Sequence, residues 1–256
     1  MLPITPEDPP GFVVRTEAQK ATFERGFRLE QGRDGPWLGY ASTTVPGTVW
    51  VAGAGPGGPW WLAVSHPGVA AELGQPATLP GPGVARFAFP ALPGLYDALD
   101  RAWRLARSLP IAPLAEFQAR TAALPRVTEA ERVTVQRIGQ DVFRRALLDY
   151  WDGRCPLTGI TDPPLLRASH IVPWAECTDD AHRLDVHNGL LLSALWDAAF
   201  DVGLVSFMDD GVVLFAPGLS AAAVAALGGA RNVPGLTPVH RINLRDHRIQ
   251  HGFATT

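Results

Sequence analysis

The chain has 256 residues, of which 46% are hydrophobic and 18% charged, and a formal net charge of −3 at pH 7. This is the composition of a soluble globular protein, long enough for one large domain or two ordinary ones, and it excludes a chain that is disordered as a whole. The charge supplies no global attraction to nucleic acid, so any such binding must rest on local basic patches. Cys155 and Cys177 are too few for a disulfide framework or a four-cysteine zinc site.

No apolar run reaches the length of about 18 residues that a membrane helix needs. The opening "MLPITPEDPPGF" lacks the basic-then-apolar pattern of a signal peptide. The expectation is a cytoplasmic protein with no membrane partner. Lys20 is the only lysine among the basic residues. That arginine bias reads either as genomic composition or as phosphate recognition, for which the planar guanidinium fork is well shaped.

In chain order, "RTEAQKATFERGFRLE" spaces Ala18, Ala21, Phe23 and Phe27 helically, after Thr16 as N-cap. "WLGYASTTVPGTVWVAGAG", "PWWLAVS" and "ARFAFP" alternate aromatic or β-branched residues with small ones between Pro/Gly turns, which predicts strands. "GLYDALDRAWRLARSL" follows as a helix with Leu95, Leu99, Ala102, Trp103 and Ala106 on one face. Residues 11–110 thus form an N-terminal α+β module. Residues 111–127, with prolines interrupting a short helical pattern, read as a linker.

Thr128 and Glu131 make a capping box for a long helix whose apolar stripe is Val135, Ile138, Val142, Phe143, Ala146 and Leu147, with Gly153 as its stop. The helix presents Arg137, Gln140, Arg144 and Arg145. Beyond it, "LRASHIV" reads as a strand, "HNGLLLS" as a turn into a second strand, and "ALWDAAFDVG" as a short helix. This compact unit sets His170 on its first strand, Asn188 in its loop and Asp197 on its helix. A histidine inside an apolar strand is ordinarily a core residue; here it has company. Asp185 and His187 read as solvated loop residues, Asp201 as a structural cap, and His240, His247 and His251 as part of a terminal helix with Arg241, Arg245 and Arg248.

The segments "RCPLTGI", "LLRASHIVPW" and "RLDVHNGLLLSALWDAAFDVGLVSF" resemble the HNH endonucleases of the ββα-metal fold, in the branch without zinc-binding cysteine pairs that is common in modification-dependent restriction enzymes. The resemblance covers residues 128–253. It implies an α+β chain: a C-terminal ββα-metal nuclease domain preceded by a separate N-terminal α+β module. It implies hydrolysis of phosphodiester bonds in double-stranded DNA with Mg²⁺ or Mn²⁺, His170 as general base and Asn188 holding the loop. Asp197 matches the metal-ligand position on the helix, where His or Asn is usual. Ser169 stands where many members have a metal-binding Asp or His. Arg137, Gln140, Arg144, Arg167 and Arg248 are the expected DNA contacts, and a homodimer is expected for cutting both strands.

A restriction role in host defence asks the first module to supply selectivity for a modified base or a phosphorothioate linkage. Trp37 and Trp60, beside Gly-Pro turns, are the candidates for its pocket, with Trp50 and Trp61 as core. The alternative, resting on Ser169 and Asp197, is a DNA-binding or regulatory protein on an inactive HNH scaffold.

Overall fold

The computed structural model describes residues 4–125, 127–229 and 231–253. The chain divides into two compact units, Met1–Ala112 and Pro113–Thr256. The first opens with α1 (Phe12–Glu24), whose buried face is Val14, Ala18, Ala21 and Thr22. Its N-cap is Gly11. Thr16, expected to cap it, lies a turn inside, where its hydroxyl donates to the Phe12 carbonyl at 3.0 Å. The helix starts earlier, and Val14 in its first turn is already on the buried face.

Five strands follow: β1 (Leu29–Asp34), β2 (Trp37–Ala41), β3 (Thr48–Gly53), β4 (Trp60–Val64) and β5 (Ala85–Phe89). They form one antiparallel meander in chain order. α2 (Pro67–Glu72) lies between β4 and β5, and α3 (Leu92–Ser108) follows the sheet. Alternation then sorts the side chains. Val49, Val51, Leu62 and Val64 pair across β3 and β4 on one face. Trp37, Ala52, Trp61 and Ala63 form a cluster on the other, with Trp50 and Leu79 packed against it.

The tryptophan pocket expected at Trp37 and Trp60 is not formed. Trp37 is 2% exposed and Trp60 fully buried. A Cβ on Gly81 would lie 2.6 Å from the Trp37 ring, which shows how closely the 73–84 connection covers that indole. A Cβ on Gly53 would meet the Trp60 ring at 3.0 Å and Val14 at 3.2 Å. Large aromatic area on a half-buried sheet is stabilised most by covering it, and both rings are used as core. Trp61 is core as expected, and Trp50 is partly buried.

Residues 111–127, expected as a linker, contain the whole of α4 (Ile111–Thr121), which leads into the second unit. Pro113 falls in its first turn, where a missing N–H costs nothing. Phe117 and Thr121 are buried, so this segment is held by packing. α5 (Glu129–Tyr150) carries the capping box of Thr128 and Glu131 and buries Val135, Gly139, Val142, Phe143, Ala146 and Leu147. Gly139 is where α5 meets Trp174: a Cβ there would clash with the Trp174 ring and lie 3.4 Å from Phe117.

β6 (Leu166–His170) and β7 (Gly189–Ser193) make an antiparallel pair with His170 opposite Gly189 and Leu166 opposite Ser193. α6 (Asp180–Leu184) lies in the long connection between them, and α7 (Ala194–Asp201) follows β7 directly. The unit closes with the hairpin β8 (Val205–Phe207) and β9 (Val213–Phe215), then α8 (Ala221–Ala226) and α9 (Pro238–Gln250). α9 buries His240, Asn243, Leu244, His247 and Arg248. It is a packed helix. Among the described residues, no helix is long and apolar enough to cross a membrane.

Candidate active site

The strand pair β6–β7 and helix α7 form the ββα unit, and α5 lies against it. Packing of the pair on α5 is tight at β7: a Cβ on Gly189 would come within 2.5 Å of Phe143 and 2.9 Å of Leu147. Only glycine fits that close approach. Arg144 fastens the other strand by donating to the carbonyls of Leu166 at 2.9 Å and Pro163 at 2.8 Å.

His170 ends β6. Its ring stacks on Phe143 of α5, with centroids 3.8 Å apart, and meets Trp174 edge-on at 5.6 Å. Nε2 lies 2.9 Å from the Arg183 carbonyl oxygen. A carbonyl only accepts, so Nε2 carries the proton and Nδ1 is the nitrogen with the lone pair. Burial lowers the His170 pKa to about 4, the Arg183 carbonyl opposing that shift and His182 adding to it. The imidazole is therefore neutral near pH 7, with its tautomer fixed by a backbone acceptor.

The 18 residues from Ile171 to Asn188 that join the strands are pinned from both ends. Asn188 is fully buried. Its Oδ1 accepts from Val172 N at 2.8 Å, and its Nδ2 donates to the Val172 carbonyl at 3.2 Å and to Cys177 Sγ at 3.3 Å. A side-chain amide is the one group that imitates a strand partner in both directions. Arg183 adds bonds to the carbonyls of Trp174 at 3.1 Å and Cys177 at 2.9 Å and to Asp180 at 3.1 Å. The carbonyl that orients His170 thus belongs to a residue whose own side chain is anchored.

Asn188→Ala is expected to cost about 2–3 kcal/mol, because it leaves the part-buried Val172 N–H without its acceptor and the Val172 carbonyl with only the weak Cys177 thiol donor. Urea denaturation checks this, and an unchanged midpoint would contradict the clamp.

Ser169 is 5% exposed and precedes His170 on β6. Its hydroxyl donates to Asp197 Oδ1 of α7. Asp197 is partly buried in the first turn of α7, where the helix dipole favours a negative charge. As a donor set for a cation, one carboxylate and one hydroxyl suit a hard ion that retains water and takes its remaining oxygens from a substrate phosphate. Among the described residues, no group of three or more His, Cys, Asp or Glu is arranged to hold a metal.

The expected DNA contacts divide. Arg137 and Gln140 are exposed on α5, and Arg167 is exposed on β6 while bonding the Pro164 and Leu166 carbonyls. Arg144 is committed to the backbone of the β6 approach. Arg248, expected as a DNA contact, is 4% exposed. It donates to the Phe207 carbonyl at 2.6 Å and to Asp209 at 2.7 Å. Its role in the described structure is to lock α9 onto β8. The basic periodicity of α9 disguised an inward-facing arginine, stable there because its guanidinium finds acceptors inside the fold.

His187 is likewise buried, at 9% exposed, and its Nδ1 bonds the partly buried Asp185 at 2.8 Å. Asn243 of α9 donates to the His187 carbonyl at 3.0 Å. Three contributors to the site escaped the sequence: the Phe143 ring as the platform for His170, Trp174 as its edge neighbour, and the Arg183 carbonyl. Phe143 shows in the sequence as one of a helix's apolar positions and within a segment resembling the same branch, but not as a partner of His170. A backbone acceptor has no residue-type signature at all.

None of the curated proteins matches this chain. Residues 155–208, which include Ser169, His170, Asn188 and Asp197, match the family model described as HNH endonuclease. The C-terminal unit of this chain carries an HNH endonuclease domain.

Proposed function

We propose that the C-terminal unit hydrolyses phosphodiester bonds of double-stranded DNA, with a divalent cation and with His170 as general base. The observation that carries this reading is the His170 imidazole with Nε2 set against the Arg183 carbonyl, one residue from the Ser169–Asp197 pair. Nδ1 accepts a proton from the attacking water. The Arg183 carbonyl stabilises the imidazolium that results, because Nε2–H then donates with greater charge. Asn188 keeps the connection from sagging across the strand end.

Asp197 and Ser169 are the residues that would hold Mg²⁺ or Mn²⁺, which when bound stabilises charge on the phosphate and on the departing 3′ oxygen. With so few protein ligands, the ion is expected to bind weakly without DNA. Arg137, Gln140 and Arg167 are the exposed polar side chains on hand for the phosphate backbone. We extend the proposal to a restriction enzyme of host defence that reads modified DNA through the N-terminal unit and acts as a homodimer.

A second reading has its own support. The Ser169 hydroxyl already satisfies one oxygen of Asp197, which is how an HNH scaffold retired from catalysis would settle. The two readings part on one experiment. Unmodified, cytosine-modified and phosphorothioated duplexes are incubated with Mg²⁺, Mn²⁺ or EDTA. Metal-dependent cutting with preference for one modified duplex is the expected result. Binding without cutting at any metal concentration supports the retired scaffold, and equal cutting of all three removes the modification-reading role.

A further inference from the structure

The N-terminal unit holds a cleft of about 460 Å³ between α1 and the β1–β2 hairpin, lined by Phe12, Arg15 and Gln19 from the helix and Glu30, Arg33 and Leu38 from the strands. Its volume lies within the range of about 300–1,000 Å³ typical of ligand sites. The cleft is open because β1 is the sheet's edge strand and is exposed along its whole length. A register shift between Glu30 and Arg33 turns that edge, with Gly32 at φ 82°.

The lining brings together three chemistries that a nucleotide requires. Phe12 is 74% exposed, an aromatic face with its surface available for stacking. Gln19 Nε2 donates to Glu30 Oε1 at 2.6 Å, which aligns an amide and a carboxylate as one polar edge of the kind that accepts from the amino group of a base. Arg15 and Arg33 supply positive charge beside that edge. Arg15 makes a 3.3 Å bond to the Pro10 carbonyl, and Arg33 a 3.5 Å ion pair with Asp8 while its side chain stays 48% exposed. Both guanidiniums retain further N–H donors for phosphate oxygens.

We propose that this cleft is a nucleotide-binding site by which the N-terminal unit engages DNA, an inference that rests on the nuclease reading above. It moves recognition away from the buried tryptophans Trp37 and Trp60 to the α1–hairpin crevice. The phosphate is held by Arg15 and Arg33, the base lies against Phe12, and the Gln19–Glu30 edge reads it.

The test is fluorescence anisotropy of a labelled duplex in EDTA, across a salt series, with the full chain. Arg15→Ala combined with Arg33→Ala is expected to lower affinity at least tenfold and to reduce the slope of log K against log salt by about 2, since each phosphate that an arginine neutralises adds about 0.9 to it. Phe12→Ala, at an exposed position that the fold does not need, is expected to lower affinity about tenfold without changing the slope. Unchanged affinity and slope in both variants would overturn the proposal. A separate arm titrates free dCMP: binding that the double arginine variant loses, with duplex affinity unchanged, would overturn DNA as the ligand. Cleavage in Mn²⁺ is scored on the same preparations. Where the wild type cuts and the variants bind DNA equally well, the cleft assignment falls and the nuclease reading stands; where the wild type neither binds nor cuts, both fall.

Discussion

His170→Ala is expected to fold, to bind DNA, and to cleave it about 10²–10⁴-fold more slowly than the wild type, the range that a positioned general base contributes. The loss should fall on kcat, because the imidazole acts on the attacking water and its other nitrogen is spent on the Arg183 carbonyl. The pH profile separates this from a structural role. Catalysis requires the neutral ring, and burial lowers its pKa from 6.5 to about 4. The acid limb of kcat/KM, which reports the free enzyme, is therefore expected well below 6.5. His170→Gln, which keeps a donor to Arg183 and has no group titrating there, should be as slow as the alanine variant and show no such limb. A glutamine variant with near wild-type rate would remove His170 as the base.

The same burial makes stability depend on pH, and a second histidine joins it. His247 is 3% exposed, stacks on Phe200 at 4.0 Å, and has both nitrogens engaged. Nε2 donates to the Phe200 carbonyl at 3.1 Å and Nδ1 accepts from Ser206 at 3.0 Å. The neutral ring with its proton on Nε2 satisfies both partners. Desolvation lowers its pKa to about 4, the Phe200 carbonyl opposing the shift and the nearby His251 and Arg248 adding to it.

For both rings the folded pKa lies below the unfolded value of 6.5, so between the two values the unfolded chain binds more protons. Stability is unaffected by them well above 6.5, falls as the pH drops through 6.5, and stops falling below about 4. At pH 5 each histidine is expected to have cost about 2 kcal/mol, from 1.36 kcal/mol per unit of pH below the unfolded value. Urea denaturation at pH 7.5 and pH 5 measures it. His247→Gln should be less stable than the wild type at pH 7.5, for want of the stack, yet lose less on acidification. A midpoint that stays flat over this interval would contradict the buried neutral state.

How far the sequence could be read depends on where each element's stability comes from. α5 and the ββα unit carry their instructions locally. Thr128 and Glu131 cap, the apolar stripe repeats with helical period, and Asn188 before Gly189 closes the connection into β7. The residues brought to the site, His170, Asn188, Ser169 and Asp197, are adjacent to these signals.

β1 was not legible, because "LEQGRD" has no buried face and owes its extended form to pairing with β2. α4 was hidden by its prolines, and what makes it a helix is the burial of Phe117, a tertiary fact. Trp37 and Trp60 show the reverse error: flanking Gly-Pro turns suggested a rim, whereas strand register put both rings in the core. Arg248 shows that a basic residue on a basic helix is placed by its partners, here Phe207 and Asp209, which lie 41 and 39 residues away.

The most direct test of the account is cleavage of duplex DNA in Mn²⁺ by wild type and His170→Ala, with an EDTA control and binding measured in parallel. The account predicts that the wild type cuts only with metal, and that the variant binds equally well and cuts about 10²–10⁴-fold more slowly. Equal cutting by both proteins, or a wild type that binds and never cuts, would contradict it.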